Sequence, residues 1–312
     1  MPEVAIKPLA KGIGSLVLRN LRSTHQETGT LSALRSVSLF ARHYVSVRRY
    51  LGDCRIDTMA ELGPGSSLGV GFSALLSGVE RYVGLDLQVH RSSAHDARML
   101  EEVRDVLLNR SRLTDLTEQG VLFFPRIDSD LFWREVDSAA SIALASDRID
   151  DLRAELAGGF GPRIRYVAPW SNSGALPAGS IDWLMSHSVM EHVDDLAETY
   201  RSIYRWLKPG GLATHLIDFQ SHFLTKHWNG HWTVRPGTWA MVRGRRPYLI
   251  NRAWREKHLS LMREIGFEIL EEVTHARDDG LPRRTFLPPF SEMPPGDGEA
   301  AMTFVVARKP AA

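Results

Sequence analysis

Apolar residues change their period several times along the chain, and each change marks an element. Over residues 31 to 51, Leu34, Val37, Phe40, Tyr44, Val47 and Leu51 recur at three to four residues, with arginines between them, which predicts a helix. The pattern then shortens. "IDTMAEL" reads as a short strand, "SLGVGFSALLSG" as a helix ended by Gly78, and "RYVGLDL" as a second strand. "SSAHDARMLEEVRDVLLN" is a helix capped by Ser92 or Ser93. Two short helices follow, around "DSDLFWREVDSAASIAL" and "DRIDDLRAELAGG". "RIRYVAP" and "SIDWLMSHSV" are strands, and "DDLAETYRSIYRWL" is a helix stopped by the Pro-Gly-Gly at 209 to 211. "LATHLIDF" is a strand. Beyond a polar and aromatic stretch come the helix "AWREKHLSLMREIG" and the strands "FEILEEVTH" and "AAMTFVVARK".

Strands alternating with helices predict an α/β fold: a Rossmann-like, doubly wound, seven-stranded, mainly parallel sheet with helices on both faces. Residues 1–52 are expected to form an N-terminal helical extension that covers the ligand edge or mediates dimerisation. Residues 53–312 carry the sheet, with a helical insertion at about 110–161 and an aromatic insertion at about 220–253. "PPFSEMPPGDGEA" reads as a Pro-rich surface loop, not a domain boundary.

Charge and cysteine content narrow the partners. The formal charge is +1, so no strong field favours nucleic acid, and no Asn-Pro-Pro-aromatic motif for base amines is present. The single cysteine, Cys54, excludes an intrachain disulfide and fits a reducing, cytoplasmic compartment. The first residues lack a signal-peptide pattern, and no apolar run is long enough to span a bilayer. They are basic and mildly amphipathic, with Lys7, Lys11, Arg19 and Arg22 among Ile6, Leu9, Ile13 and Leu16. That pattern suits either a docked terminal helix or contact with an anionic membrane surface, although Gly12 and Gly14 weaken a helix there.

The stretch "TMAELGPGSSLGVGF" holds the first chemical clue. A strand that opens through glycines into a helix presents backbone N–H groups at the carboxyl edge of the sheet. Gly63 and Gly65 fit a dinucleotide fingerprint, but its third glycine is replaced by Leu68, and a P-loop Lys-Ser/Thr pair is absent. Glu61 precedes the turn and could meet a cationic amine; Asp86 ends the next strand, where ribose-binding acids occur. A ligand with an amine and a ribose but no pyrophosphate suits this set, and S-adenosylmethionine is such a ligand.

With "ELGPGSSLG", "VGLD", "LPAGSIDWLMSHSVMEHV" and "LKPGGLATHLIDF" in order, residues 55 to 308 resemble the class I S-adenosylmethionine-dependent methyltransferases. The resemblance implies S-adenosylmethionine as methyl donor and S-adenosylhomocysteine as product. It implies cofactor contacts from Glu61, Gly63, Gly65, Ser67, Asp86, Leu87, Ser186 and His187. The family often has an acid after the third strand to hold the adenine amine; "APWSNSGALP" has none, so Ser171 or Asn172 or backbone serves instead.

Methyl transfer to a hydroxyl requires an aligned acceptor and removal of its proton. "HLIDFQSHF" places Asp218 and His222 at the exit of the fifth strand, where a carboxylate can orient a histidine as general base. Glu191 and His192 after the fourth strand read first as packing and hydrogen bonding at a helix start. A divalent metal held by Asp218, His222, His227 and His231 is the competing reading; the spacing matches no standard zinc motif, and no metal is predicted. His192, His227, Trp228, His231, Trp232 and Arg252 are the candidates for holding an acceptor. "HxIDFxxHF", "WNGHW" and "RRPYLINR" look like bacterial methyltransferases associated with cell-surface polysaccharide or glycolipid assembly. The resemblance therefore implies O-methylation of a sugar hydroxyl on a glycan or glycolipid. A small phenolic or polyketide acceptor, or a non-catalytic binding module, are the alternatives.

Overall fold

The computed structural model describes residues 3–17, 32–52, 54–115, 124–143, 146–170, 173–246 and 248–311. Strands β1 (Thr58–Leu62), β2 (Arg81–Leu85), β3 (Ile164–Val167), β4 (Ile181–His187), β5 (Leu207–Asp218), β6 (Glu268–Ala276) and β7 (Ala300–Arg308) form one sheet in the order β3-β2-β1-β4-β5-β7-β6. The first five run parallel, and β7 is antiparallel to both β5 and β6. This is the expected doubly wound sheet. Its order reverses between β1 and β4, which opens a crevice at their carboxyl ends.

Helices α2 (Ala33–Leu51), α3 (Gly69–Leu76), α4 (Ser93–Leu108), α5 (Ser129–Ala143) and α6 (Ser146–Gly158) contribute to the core on one face. Helices α7 (Leu196–Trp206) and α9 (Arg255–Ile265) contribute to that on the other. The central strands are buried on both sides, so β1 is apolar except at Glu61 and Thr58. Met59, Trp183 and Met185 pack toward α2, whereas Ala60, Leu62 and Leu184 pack toward α7.

The N-terminal segment divides into two. Helix α2 is a core helix: Val37, Phe40 and Val47 are fully buried, and the Phe40 ring lies 6.0 Å from that of Trp183. The Ser32 side chain caps it by accepting from the Arg35 amide. Helix α1 (Ile6–Val17) instead packs on α8 (Pro236–Arg243), away from the sheet. It continues through Gly12 because a Cβ there would lie 2.0 Å from the Met241 carbonyl oxygen. Close backbone approach thus outweighs the poor helix propensity of glycine.

Two boundaries differ from the pattern reading. The Pro-Gly-Gly lies inside β5 and does not stop α7, which ends at Trp206 with the strand following directly. The loop "PPFSEMPPGDGEA" is packed down, with Phe290, Met293 and Asp297 buried. Asp297 accepts from the Arg255 side chain at 2.8 Å and the Glu256 amide at 2.9 Å, tying the loop to the start of α9.

Gly71 in α3 faces the Tyr82 ring, which a Cβ would meet at 2.5 Å. Gly71→Ala is expected to lose roughly 1–3 kcal/mol by overpacking. Urea denaturation of the variant measures this, and an unchanged midpoint would contradict the packing described.

Candidate active site

The carboxyl end of β1 carries a buried acid. Glu61 is 6% exposed, and the Tyr82 hydroxyl donates to it at 2.6 Å. Burial pushes its pKa up to about 8, against the lowering effect of the Tyr82 hydrogen bond. No cation faces it among the described residues, so the group is held as a neutral acid in the free chain.

The turn after Glu61 is shaped by two left-handed glycines, Gly63 at φ 74° and Gly65 at φ 65°. Gly63 donates to the Leu85 carbonyl, and a Cβ on Gly63 would strike the Val189 side chain at 2.6 Å. The Gly65 amide donates to Asp86 Oδ2 at 3.0 Å, and the Leu87 amide donates to Oδ1 at 2.7 Å. Both oxygens of Asp86 are thereby aimed by backbone, each with a lone pair remaining. Ser67 accepts from the Gly69 amide at 3.1 Å and so serves the start of α3. Tyr248 stands near Asp86, whose charge, with burial, raises the phenol pKa. This geometry fits S-adenosylmethionine: a buried acid bonded to a phenol but to no cation at one end, and a pre-aimed carboxylate at the other.

The remaining cofactor candidates are placed differently. Ser171 and Asn172 lie outside the described residues. The Ser186 side chain is fully buried and bonded to His215 Nδ1 at 2.7 Å, which leaves only its backbone for a ligand. His187 turns toward α2, where its Nδ1 lies 3.2 Å from His43 Nε2, and desolvation pulls its pKa down to about 3.

Beyond β4 and β5 a second polar group assembles. Asp218 Oδ2 lies 3.5 Å from His222 Nε2, and Oδ1 accepts from the Gln220 amide. His222 and Phe223 both have left-handed backbone, at φ 49° and 61°, an uncommon conformation that holds the loop in place. The His192 ring meets that of His222 edge to face at 5.1 Å, and burial lowers its pKa to about 4. Glu191, in the same short turn as His192, is buried with neither carboxylate oxygen hydrogen-bonded. Its own amide and that of Asp218 approach without reaching hydrogen-bond geometry. Glu191, His192 and His222 each offer a ligand atom within 4.8 Å of the others.

The proposed acceptor residues separate in space. His192 and His231 join the Asp218–His222 group, and the buried His231 Nδ1 has no partner. His227 is drawn away to Glu3 at 3.0 Å. Trp232 is fully buried, its indole N–H donating to the Arg252 carbonyl. Arg252 lies over the Trp239 and Phe290 rings and donates to the His231 and Val234 carbonyls. Trp232 and Arg252 therefore brace the wall behind the site. Sequence reasoning passed over Tyr82, Tyr248 and Phe223, and placed Glu191 among packing groups at a helix start. Only Glu191 had a local signal, its place beside His192.

Residues 138–214, from within α5 into β5, match the family model described as a methyltransferase domain. That segment is similar to methyltransferase domains. The matched segment lies downstream of the glycine turn and includes β3, β4 and α7. Among solved structures, an S-adenosylmethionine-dependent methyltransferase from Methanosarcina mazei is 14% identical, with 86% of this chain and 98% of that chain covered and a TM-score of 0.42. One from Mesorhizobium loti is 17% identical, covering 86% and 98%, with a TM-score of 0.36. Haemonchus contortus phosphoethanolamine N-methyltransferase 2, in complex with S-adenosyl-L-methionine, is 16% identical, covering 93% and 58%, with a TM-score of 0.43. No curated protein matches the sequence.

The burial of Glu61 gives the chain a pH signature. Folded, Glu61 keeps its proton up to about pH 8; its ordinary value is 4.5. Between these values the folded form binds the extra proton, so this contribution to stability is full below 4.5 and is lost as pH rises through 8. Glu61→Gln should leave the urea midpoint unchanged in acid and raise it above pH 8. A gap of equal size at both ends would count against the buried neutral acid.

Proposed function

We propose that this chain is an S-adenosylmethionine-dependent methyltransferase that O-methylates a sugar hydroxyl on a glycan or glycolipid. The observation that carries the reading is the convergence of Asp218, His222, His192 and His231 outside β4 and β5. A hydroxyl acceptor must lose its proton, and a carboxylate-oriented imidazole supplies the base. A polyhydroxylated ring suits a wall of directional acceptors. The burial of Trp228 and Trp232, which leaves neither ring face open as a platform, supports a sugar over a flat phenol. Phe223, 91% exposed beside His222, offers a single face on which a sugar ring could stack.

S-adenosylmethionine supplies an electrophilic methyl group on a sulfonium that leaves readily. Glu61 would hold its amine and Asp86 its ribose hydroxyls, with the Gly63–Gly65 turn allowing close backbone approach. Asp218 orients the His222 ring, and that ring takes the proton from the attacking hydroxyl. Calorimetric titration with S-adenosylhomocysteine should show micromolar binding that a Glu61→Ala, Asp86→Ala double variant loses. In His222→Ala, kcat on a saccharide acceptor should fall by about 10²–10⁴ with S-adenosylhomocysteine affinity retained. Turnover of isolated phenols and none of saccharides would refute the acceptor class.

The reading extends to where the acceptor lies. No helix is long and apolar enough to cross a membrane among the described residues. Ile6, Ile13 and Leu16 of α1 are exposed together with Lys7 and Lys11, which supports contact with an anionic membrane surface. Vesicles containing anionic lipid should sediment the protein, and an Ile6→Asp, Ile13→Asp variant should remain in solution. Equal partition of both proteins would remove the membrane from the reading.

A further inference from the structure

We propose that Glu191, His192 and His222 form a binding site for a divalent first-row transition-metal ion. The inference rests on the methyl-transfer reading for the use of the ion, and on the geometry alone for its existence.

Three independent features converge. The first is distance: one ligand atom from each residue lies within 4.8 Å of the other two. Ligands sharing an ion at bond lengths of about 2.0–2.2 Å sit roughly 3–4 Å apart, so only a small closure is needed. His222 can provide it, because its side chain lies at the exposed end of the cluster. The second feature is an unmet need. Glu191 is 3% exposed, and both its oxygens lack a hydrogen-bond donor. The buried Nδ1 of His192 lacks a partner as well. Buried polar atoms are nearly always satisfied, so a missing positive ligand accounts for them together.

The third feature is outside the ligand set. A ligating histidine commonly has its other nitrogen held by a carbonyl or carboxylate. The Tyr248 backbone approaches the His192 ring, and Asp218 Oδ2 lies 3.5 Å from His222 Nε2. His231, with its own bare Nδ1, stands behind His222. Two imidazoles with one carboxylate suit cobalt, manganese, iron or zinc; magnesium and calcium prefer oxygen ligands throughout.

In the loaded protein Glu191, His192 and His222 would hold the ion, which would supply a Lewis acid that eases loss of the acceptor hydroxyl proton, with Asp218 as the group that would take that proton. The oxygen forms the new bond to the methyl carbon, and the carbon–sulfur pair stays on sulfur. Base and ion are thus two ways of removing one proton at one place.

The test uses the full chain without a polyhistidine tag, stripped with a chelator and titrated with Co²⁺. A visible ligand-field band should saturate at a single equivalent, and excess Mg²⁺ should not bleach it. Glu191→Gln and His222→Ala should each weaken Co²⁺ binding at least about tenfold. S-adenosylhomocysteine binding should persist in both variants, which separates failure of the ion site from failure of the methyl-donor reading. His275→Ala, on β6, should leave the band unchanged. Absence of the band, or an unaltered band in His222→Ala, would overturn the proposal. The exposed position of that side chain in the cluster keeps the second result free of folding effects.

Discussion

Between β1 and β4 the two wings of the sheet part, and the chain must leave β1 with no helix in that gap. The constraint is met by two left-handed glycines, one of which has no room for a Cβ against Val189. Because the turn is tight, its amide meets Asp86 at the end of β2 and fixes that carboxylate. Because β1 is buried on both faces, the acid that precedes the turn is desolvated and held by a single phenol. Cofactor chemistry therefore follows from where the sheet reverses, not from any local cluster of charge.

Buried polar groups elsewhere share a common logic. His43 joins Thr214 and His187 under α2, while Ser186 joins His215 and Tyr200 joins His258 under α7 and α9. Desolvation lowers the pKa of each of these histidines, so they act as neutral hydrogen-bonding spacers between strands and helices. His215 and His258 each keep one buried nitrogen without a partner, but around Glu191 several such atoms gather at the acceptor end: both Glu191 oxygens and the Nδ1 atoms of His192 and His231. A concentration of unmatched buried polar atoms at one edge of the sheet suits a ligand there.

Local rules reach far into this fold. Each of the seven strands was legible as a short apolar run between turn residues, and α4 began where Ser92 offered a cap. The reading fell short where partners distant in sequence decided the outcome. Helix α2 looked like an extension, yet its apolar stripe meets Trp183, far along the chain. Glycines argued against α1, but Gly12 is where α8 comes closest. Tryptophans read as a platform proved to be packing, because an aromatic segment alone does not reveal which side of it is covered.

The sequence by itself determined the element order, the glycine turn and the two acids that flank it, since each depends on neighbours a few residues away. Tertiary structure alone decided that Glu191, His192 and His222 share one site, that His227 leaves it for Glu3, and that Ser186 faces the core. The reason is physical. Side-chain direction at a strand exit depends on a few backbone angles and on what the facing helices leave open, and neither is encoded within one local window.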